Sequence, residues 1–292
     1  AAAHLTGAAV FGFHVAAHHN VLKDEIISIE DYLINGADFV NVKNAPYFAK
    51  GDGVTDDTAA IQAAINDGNN NIFFPTGTYI FSTISGAGQP ITLFGINRMT
   101  TILKSSSTSA DLITLPEWYS SIEGLTITSS STSTKSSGSS IVLSGPWSQI
   151  KNCIIDYGFY GVTMSGVGCR IINTMVLNTT SGGIGIIATG GDTSQQIDGC
   201  MLAYGSPSAG ISVTDSSALT ISNTSVLVQG RDLEIVPPNG KSVVSMKVMN
   251  CFFDTSEYGI LIQTTNTSYV QRCQFINNWT SSQSETGVLL DS

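Results

Sequence analysis

The chain has 292 residues, with 12 Lys and Arg against 22 Asp and Glu and a formal net charge of −10. Charged residues form 12% of it, about half the usual share of a soluble domain, while hydrophobic residues reach 42% and mean hydropathy is +0.17. That balance excludes a disordered chain, and the few scattered cations argue against a nucleic-acid partner. No run of about 18 uncharged apolar residues exists, which excludes a membrane-spanning helix. What remains is a Gly-, Ser- and Thr-rich composition that suits an all-β protein.

Residues 1–45 are Ala-rich and apolar and hold all four histidines, His4, His14, His18 and His19. His14 and His18 have the spacing of two ligands on one helix face, but no neighbouring acid or Cys completes a metal set. The segment reads as an association or docking region, without a basic signal-peptide start. Gly51-Asp52-Gly53 then marks a turn. Thr55, Asp56 and Asp57 supply an N-cap and first-turn acids for a helix over residues 58–66, with Ile61 and Ile65 as its apolar stripe and Gly68 ending it. Asp52, Asp56 and Asp57 are therefore expected to be caps and turns, not catalysts. A strand, a turn and a strand follow over Ile72–Ile80.

From there the chain repeats. Ile122-Glu123-Gly124-Leu125, Ile150-Lys151-Asn152-Cys153, Ile171-Ile172-Asn173-Thr174, Ile197-Asp198-Gly199-Cys200, Ile221-Ser222-Asn223-Thr224, Val248-Met249-Asn250-Cys251 and Val270-Gln271-Arg272-Cys273 share one pattern. Their third positions advance by 28, 21, 26, 24, 27 and 22 residues. A second marker, Gly before a β-branched residue, recurs at Gly161-Val162, Gly185-Ile186, Gly210-Ile211, Gly259-Ile260 and Gly287-Val288. Short strands of this kind bury a face only by stacking on their neighbours, which predicts a single-chain parallel β-helix of about nine rungs at about 4.8 Å spacing. Residues 46–292 form that domain, and the helix at 58–66 caps its open end. Stacking places Cys153, Cys200, Cys251 and Cys273 in one inward column and Asn152, Asn173, Asn223 and Asn250 in an adjacent turn ladder. The five cysteines, Cys169 included, lack CxxC or zinc spacing and are expected to be small buried residues of a protein folded in a reducing cytoplasm. Gly183-Ile184-Gly185-Ile186-Ile187-Ala188 mimics a dinucleotide fingerprint but has no helix after it, so it reads as a rung.

The run Ala49-Lys50-Gly51-Asp52-Gly53-Val54-Thr55-Asp56-Asp57-Thr58-Ala59-Ala60-Ile61-Gln62-Ala63-Ala64-Ile65, with Phe74-Pro75-Thr76-Gly77-Thr78-Tyr79, resembles the opening motif of the pectate-lyase-like family. Asn44-Ala45-Pro46-Tyr47-Phe48 departs from the Asp-Phe-Gly-like run usual there. The resemblance implies a right-handed parallel β-helix and, among many relatives, bacteriophage tailspikes that depolymerise bacterial surface polysaccharides. It further implies a homotrimer in a virion tail, assembled in the host cytoplasm and acting outside at the bacterial surface. Residues 1–45 would then be a neck to other virion proteins. The chain stops in mid-repeat at Leu289-Leu290-Asp291-Ser292, which reads as a fragment.

Aligning the Gly markers sets Glu257 three residues before Ile260, Glu285 three before Val288 and Asp232 three before Ile235, with Phe159, Gly183 and Ser208 there in earlier repeats. Stacked, the three acids would lie about 5 Å apart between neighbours and about 10 Å across two rungs, bracketing the carboxyl separations of glycoside hydrolases. The expected catalytic residues are Asp232, Glu257 and Glu285, one Glu as acid and the other Glu or Asp232 as base. Tyr258, Trp279, Tyr160 and Arg231 are the expected substrate contacts, with Trp118 and Trp147 as further aromatics that are more often core. No cofactor is expected for a hydrolase. A lyase would use calcium with Arg231 or Arg272 as base or charge neutraliser, and a non-catalytic adhesin is the third alternative. The Ser/Thr tract over residues 128–138 is expected to be a rim loop.

Overall fold

The computed structural model describes residues 39–129, 135–191 and 194–291. The four histidines and residues 1–38 of the expected neck lie outside the described residues. Within them the chain winds as a parallel coil: two ten-stranded sheets (A and B), a nine-stranded sheet (C) and a three-stranded sheet (D) run along it. Each turn contributes one strand to A, then B, then C. Sheet A stacks Ile122, Ile150, Ile171, Ile197, Ile221 and Val248 in one register, every one fully buried. Sheet B does the same with Leu103, Ile127, Ile155, Val176, Leu202, Val226 and Phe253. Sheet C stacks Ile141, Val162, Ile186, Ile211, Leu233 and Ile260. The three columns meet as a continuous apolar core. Pairing is already present at Val42, whose N–H donates to Phe73 O, ahead of the expected boundary at residue 46.

The corners explain the sequence repeat. Between A and B the chain turns on one left-handed residue per rung: Gly124, Asn152, Asn173, Gly199, Asn223, Asn250 and Asn277, with φ between 49° and 67°. Asn and Gly tolerate this region best, which is why they recur there. Asn277 Nδ2 donates to Asn250 Oδ1 (2.8 Å), Asn250 Nδ2 to Asn223 Oδ1 (3.5 Å), and Asn223 Nδ2 to Asp198 Oδ1 (2.9 Å). The ladder thus joins Asn277, Asn250 and Asn223 and ends on a carboxylate, whereas Asn152 donates to Glu123 Oε1 (3.5 Å) and not to Asn173. The last repeat, however, differs from the sequence reading. Tyr269–Gln271 belongs to sheet D, and Gln274–Ile276 is the sheet A strand. Arg272 (φ 54°) therefore turns the corner ahead of sheet A, as do Ala218 and Ser245. Cys273 follows it and aligns with Cys169, not with Cys153. The inward column next to the Asn ladder alternates Cys153, Thr174, Cys200, Thr224, Cys251 and Asn278. Thr and Asn oxygens accept from the cysteine backbone N–H groups at 3.4, 3.3 and 2.9 Å.

The helix α1 (Thr58–Asn66) buries Ile61, Ala64 and Ile65. The three acids before it are structural. Asp52 Oδ1 accepts from the N–H groups of Val54 and Thr55, Asp56 Oδ1 from that of Thr58, and Asp57 from those of Lys50 and Gly51. Gly183–Ala188 is a sheet C rung, as expected. Lys135, at the end of the Ser/Thr tract, is buried and donates to Ala110 O (2.8 Å); residues 130–134 lie outside the described residues.

Candidate functional site

The acids converge on the corner between sheets B and C. Glu257 N donates to Gly230 O (2.8 Å) and Glu285 N to Glu257 O (3.2 Å), so the two glutamates occupy successive rungs of one column, and both are exposed. Their backbones stand about 4.8 Å apart along the coil. The same column holds Phe159, Gly183 and Ser208 below them.

Asp232 is elsewhere. Leu233 pairs with Ile260 and Ile260 with Val288, so the rung is shifted by two residues from the alignment that matched Ile235 to Ile260. Gly230 fills the place expected for Asp232. Asp232 instead stands level with Ser140, Gly161, Gly185, Gly210, Gly259 and Gly287, the inward glycine column. It has no exposed surface. Its Oδ2 accepts from Ser256 Oγ (2.6 Å) and its Oδ1 weakly from Val228 N (3.4 Å). Burial pushes its carboxyl up to about 8, and the charge of Asp254 adds to the rise. A substrate outside the coil cannot touch it, so the expected acid triplet reduces to a pair.

Arg231 pairs with Tyr258, and Tyr160 stands in the same column of sheet C three rungs before Arg231, with Ile184 and Ala209 between. Arg231 Nη1 lies 2.9 Å from Glu234 Oε2, a carboxylate 8% exposed. That guanidinium is engaged with Glu234, and Arg272 stands at a different corner. Trp279 is on the other side of the acid corner, on the outward face of sheet B beside Phe252, and is 59% exposed. Trp118 and Trp147 are exposed too, 57% and 43%, beside the corner ahead of sheet A. They are not core. Among the described residues no group of three His, Cys, Asp or Glu side chains is placed to hold a metal ion.

Sequence reading missed Asp254, Tyr204 and Gln229. Asp254 ends the sheet B strand Phe252–Asp254 as Asp156 ends Ile154–Asp156, a match that placing Phe253 over Ile155 would have exposed. Asp156 is half-buried, accepts from Asn178 Nδ2 (2.9 Å), and is held above the usual carboxylate range by burial.

Residues 39–290 match the family described as Rhamnogalacturonase A/epimerase, pectate lyase-like. The chain belongs to that family. Among solved structures, this pectate-lyase-like chain is similar to ORF18 of Geobacillus virus E2 (TM-score 0.65, 18% identity, 88% of this chain and 63% of that one). It is also similar to the phiAB6 tailspike, solved with oligosaccharides of Acinetobacter baumannii surface polysaccharide (0.62, 18%, 86% and 49%). A third is the polygalacturonase of Erwinia carotovora (0.59, 13%, 80% and 78%). A 58-residue stretch is 50% identical to the non-secreted LysM effector LysM19 of Penicillium expansum, spanning 4% of that protein. The chain thus spans less than two thirds of the two viral proteins and a small part of the fungal one.

Proposed function

We propose that this chain is the polysaccharide-recognising β-helix of a phage tailspike and depolymerises a bacterial capsule or O-antigen by glycosidic bond cleavage. The observation that carries the reading is the exposed Glu257–Glu285 pair on successive rungs. Backbones about 4.8 Å apart put two exposed glutamate carboxyl groups within reach of the about 5–5.5 Å separation of retaining glycosidases. One carboxylic acid protonates the glycosidic oxygen as the bond to the anomeric carbon breaks. The other carboxylate attacks that carbon and forms a glycosyl ester. Water, deprotonated by the first residue, then releases the sugar and restores both groups. Tyr258 beside Glu257, and Trp279 across the corner, supply aromatic surfaces for sugar rings. The likeness to the phiAB6 tailspike supports the viral setting.

The test is to incubate the protein with a panel of capsular and O-antigen polysaccharides and weigh the products. Oligosaccharides with new reducing ends are expected, and Glu257→Gln or Glu285→Gln should each slow their release by about 100-fold or more. Unsaturated products absorbing in the ultraviolet would instead mark a lyase. Absence of fragments with binding retained would mark a non-catalytic adhesin.

A further inference from the structure

The acid corner is interrupted by one irregular rung. On five of its turns the chain passes from sheet B to sheet C through a left-handed residue: Tyr157, Asn178, Tyr204, Thr255 and Ser282, with φ between 49° and 66°. At the rung between Tyr204 and Thr255 the equivalent residue is Val228, which is 3% exposed and takes no left-handed turn. Its side chain goes inward toward Gly210, and Gln229-Gly230 complete the link to sheet C. Asp232 fixes this departure from inside by accepting from Val228 N on its own rung and from Ser256 Oγ on the next. The corner therefore recedes for one rung. A cavity of about 580 Å³ opens there, lined by Met201, Ala203 and Leu227 as its floor with Tyr204, Gln229 and Thr255 around it. That volume lies within the usual range of small-molecule sites, about 300–1,000 Å³.

The lining carries no charge. Tyr204 is 67% exposed and presents its ring to solvent at the recess. Ser206 Oγ donates to Gln229 Oε1 (2.7 Å), which orients the amide and leaves its Nε2 hydrogens as donors. The floor is carbon: a thioether, a methyl and an isobutyl group. Such a surface desolvates a hydroxyl at a cost and accepts a methyl group with gain. The recess also lies one rung, about 5 Å, from Glu257 along the coil.

We propose that this recess seats one uncharged, methyl-bearing sugar residue of the polysaccharide, a 6-deoxyhexose or an N-acetylhexosamine, next to the residue whose bond is cut. The proposal rests on the depolymerase reading for its polymer and on the cavity for its selectivity. Tyr204 is the stacking platform, Gln229 donates to a ring substituent, and the Met201–Leu227 floor receives the methyl group.

The test uses the full chain with four probes: N-acetylglucosamine tetrasaccharide, a rhamnose oligosaccharide, maltotetraose and tetragalacturonate. Calorimetry gives affinities, and saturation-transfer NMR maps which probe protons touch the protein. A methyl-bearing probe is expected to bind most tightly, with its methyl protons the most saturated. Tyr204→Ala and Gln229→Ala are each expected to weaken it about tenfold or more, within the range of a lost stack or buried hydrogen bond. Both side chains are exposed, so these variants keep the fold. Equal binding of maltotetraose or tetragalacturonate, or full affinity in Tyr204→Ala, would overturn the proposal. So would a change in sedimentation on Tyr204→Ala, which would make the recess a seam between copies. If cleavage persists and depends on Glu257 while Tyr204→Ala binds normally, only the recess fails. If the probe binds through Tyr204 and no polysaccharide is cut, only the depolymerase reading fails.

Discussion

Asp232 replaces a glycine at an inward position, and its energetics run opposite to those of most protein carboxylates. In the unfolded chain its ordinary value is 3.8, whereas desolvation in the coil, with Asp254 nearby, moves it to about 8. Between those values the native state holds a proton that the unfolded state has released. Stability from this group is therefore present below about pH 4 and is lost as pH rises toward 8, by at most about 1.4 kcal/mol per pH unit. Urea midpoints should fall between about pH 5 and about pH 8 in the wild type, whereas Asp232→Asn, which keeps a partner for Ser256 without the ionisation, should flatten that slope. An unchanged slope in the variant would show that another group carries it. The residue is also a positioning residue for the corner, since Val228 N and Ser256 Oγ both bond to it. At this scale the sequence was a partial guide. It found the acid but put it in the wrong column, because Asp232 stands where the neighbouring rungs carry their marker glycine, and without that Gly before Leu233 the count slips by two.

The rung is the repeating element, and its corners carry the constraint. Asn250 sits at φ 55° and bonds Asn277 on one side and Asn223 on the other. Asn250→Ala removes both amide links and places a Cβ residue in the left-handed region, at a combined cost of about 2 kcal/mol. Asn250→Gly removes the same links but relieves the backbone, as Gly124 and Gly199 do in their own rungs, and should cost about half as much. Equilibrium denaturation of the two variants separates the backbone contribution from the amide ladder; equal losses would assign the whole effect to the ladder. This corner is also why the fold was legible. A left-handed residue flanked by inward apolar positions leaves the same Asn or Gly signature at each turn. Where another corner mimicked that signature, at Val270-Gln271-Arg272-Cys273, the reading failed, because sheet D inserts a strand that only the late rungs carry. The recess left no signature: it arises from one Val that does not turn outward, and nothing in a single rung marks it.

Across the whole molecule, each rung contacts only the rungs above and below, so the coil is a one-dimensional array whose stability is a sum over neighbours. Its cysteines are placed to report on that property. Cys153, Cys169, Cys200 and Cys251 are buried at successive heights, while Cys273 on a late rung is partly exposed, and all five are free thiols. Burial pushes Cys153 and Cys200 up to about 12 and Cys169 to about 11, so none of the three offers a thiolate in the native state. A thiol reagent at neutral pH should therefore label Cys273 quickly and the other four only when their rungs open. If neighbouring rungs open independently, the four buried thiols should become labelled in a stepwise order as denaturant is raised, each when its own rung opens. Peptide mass mapping after pulsed labelling reads that order directly. Simultaneous labelling of the four would mean instead that the apolar columns couple the coil into a single cooperative unit.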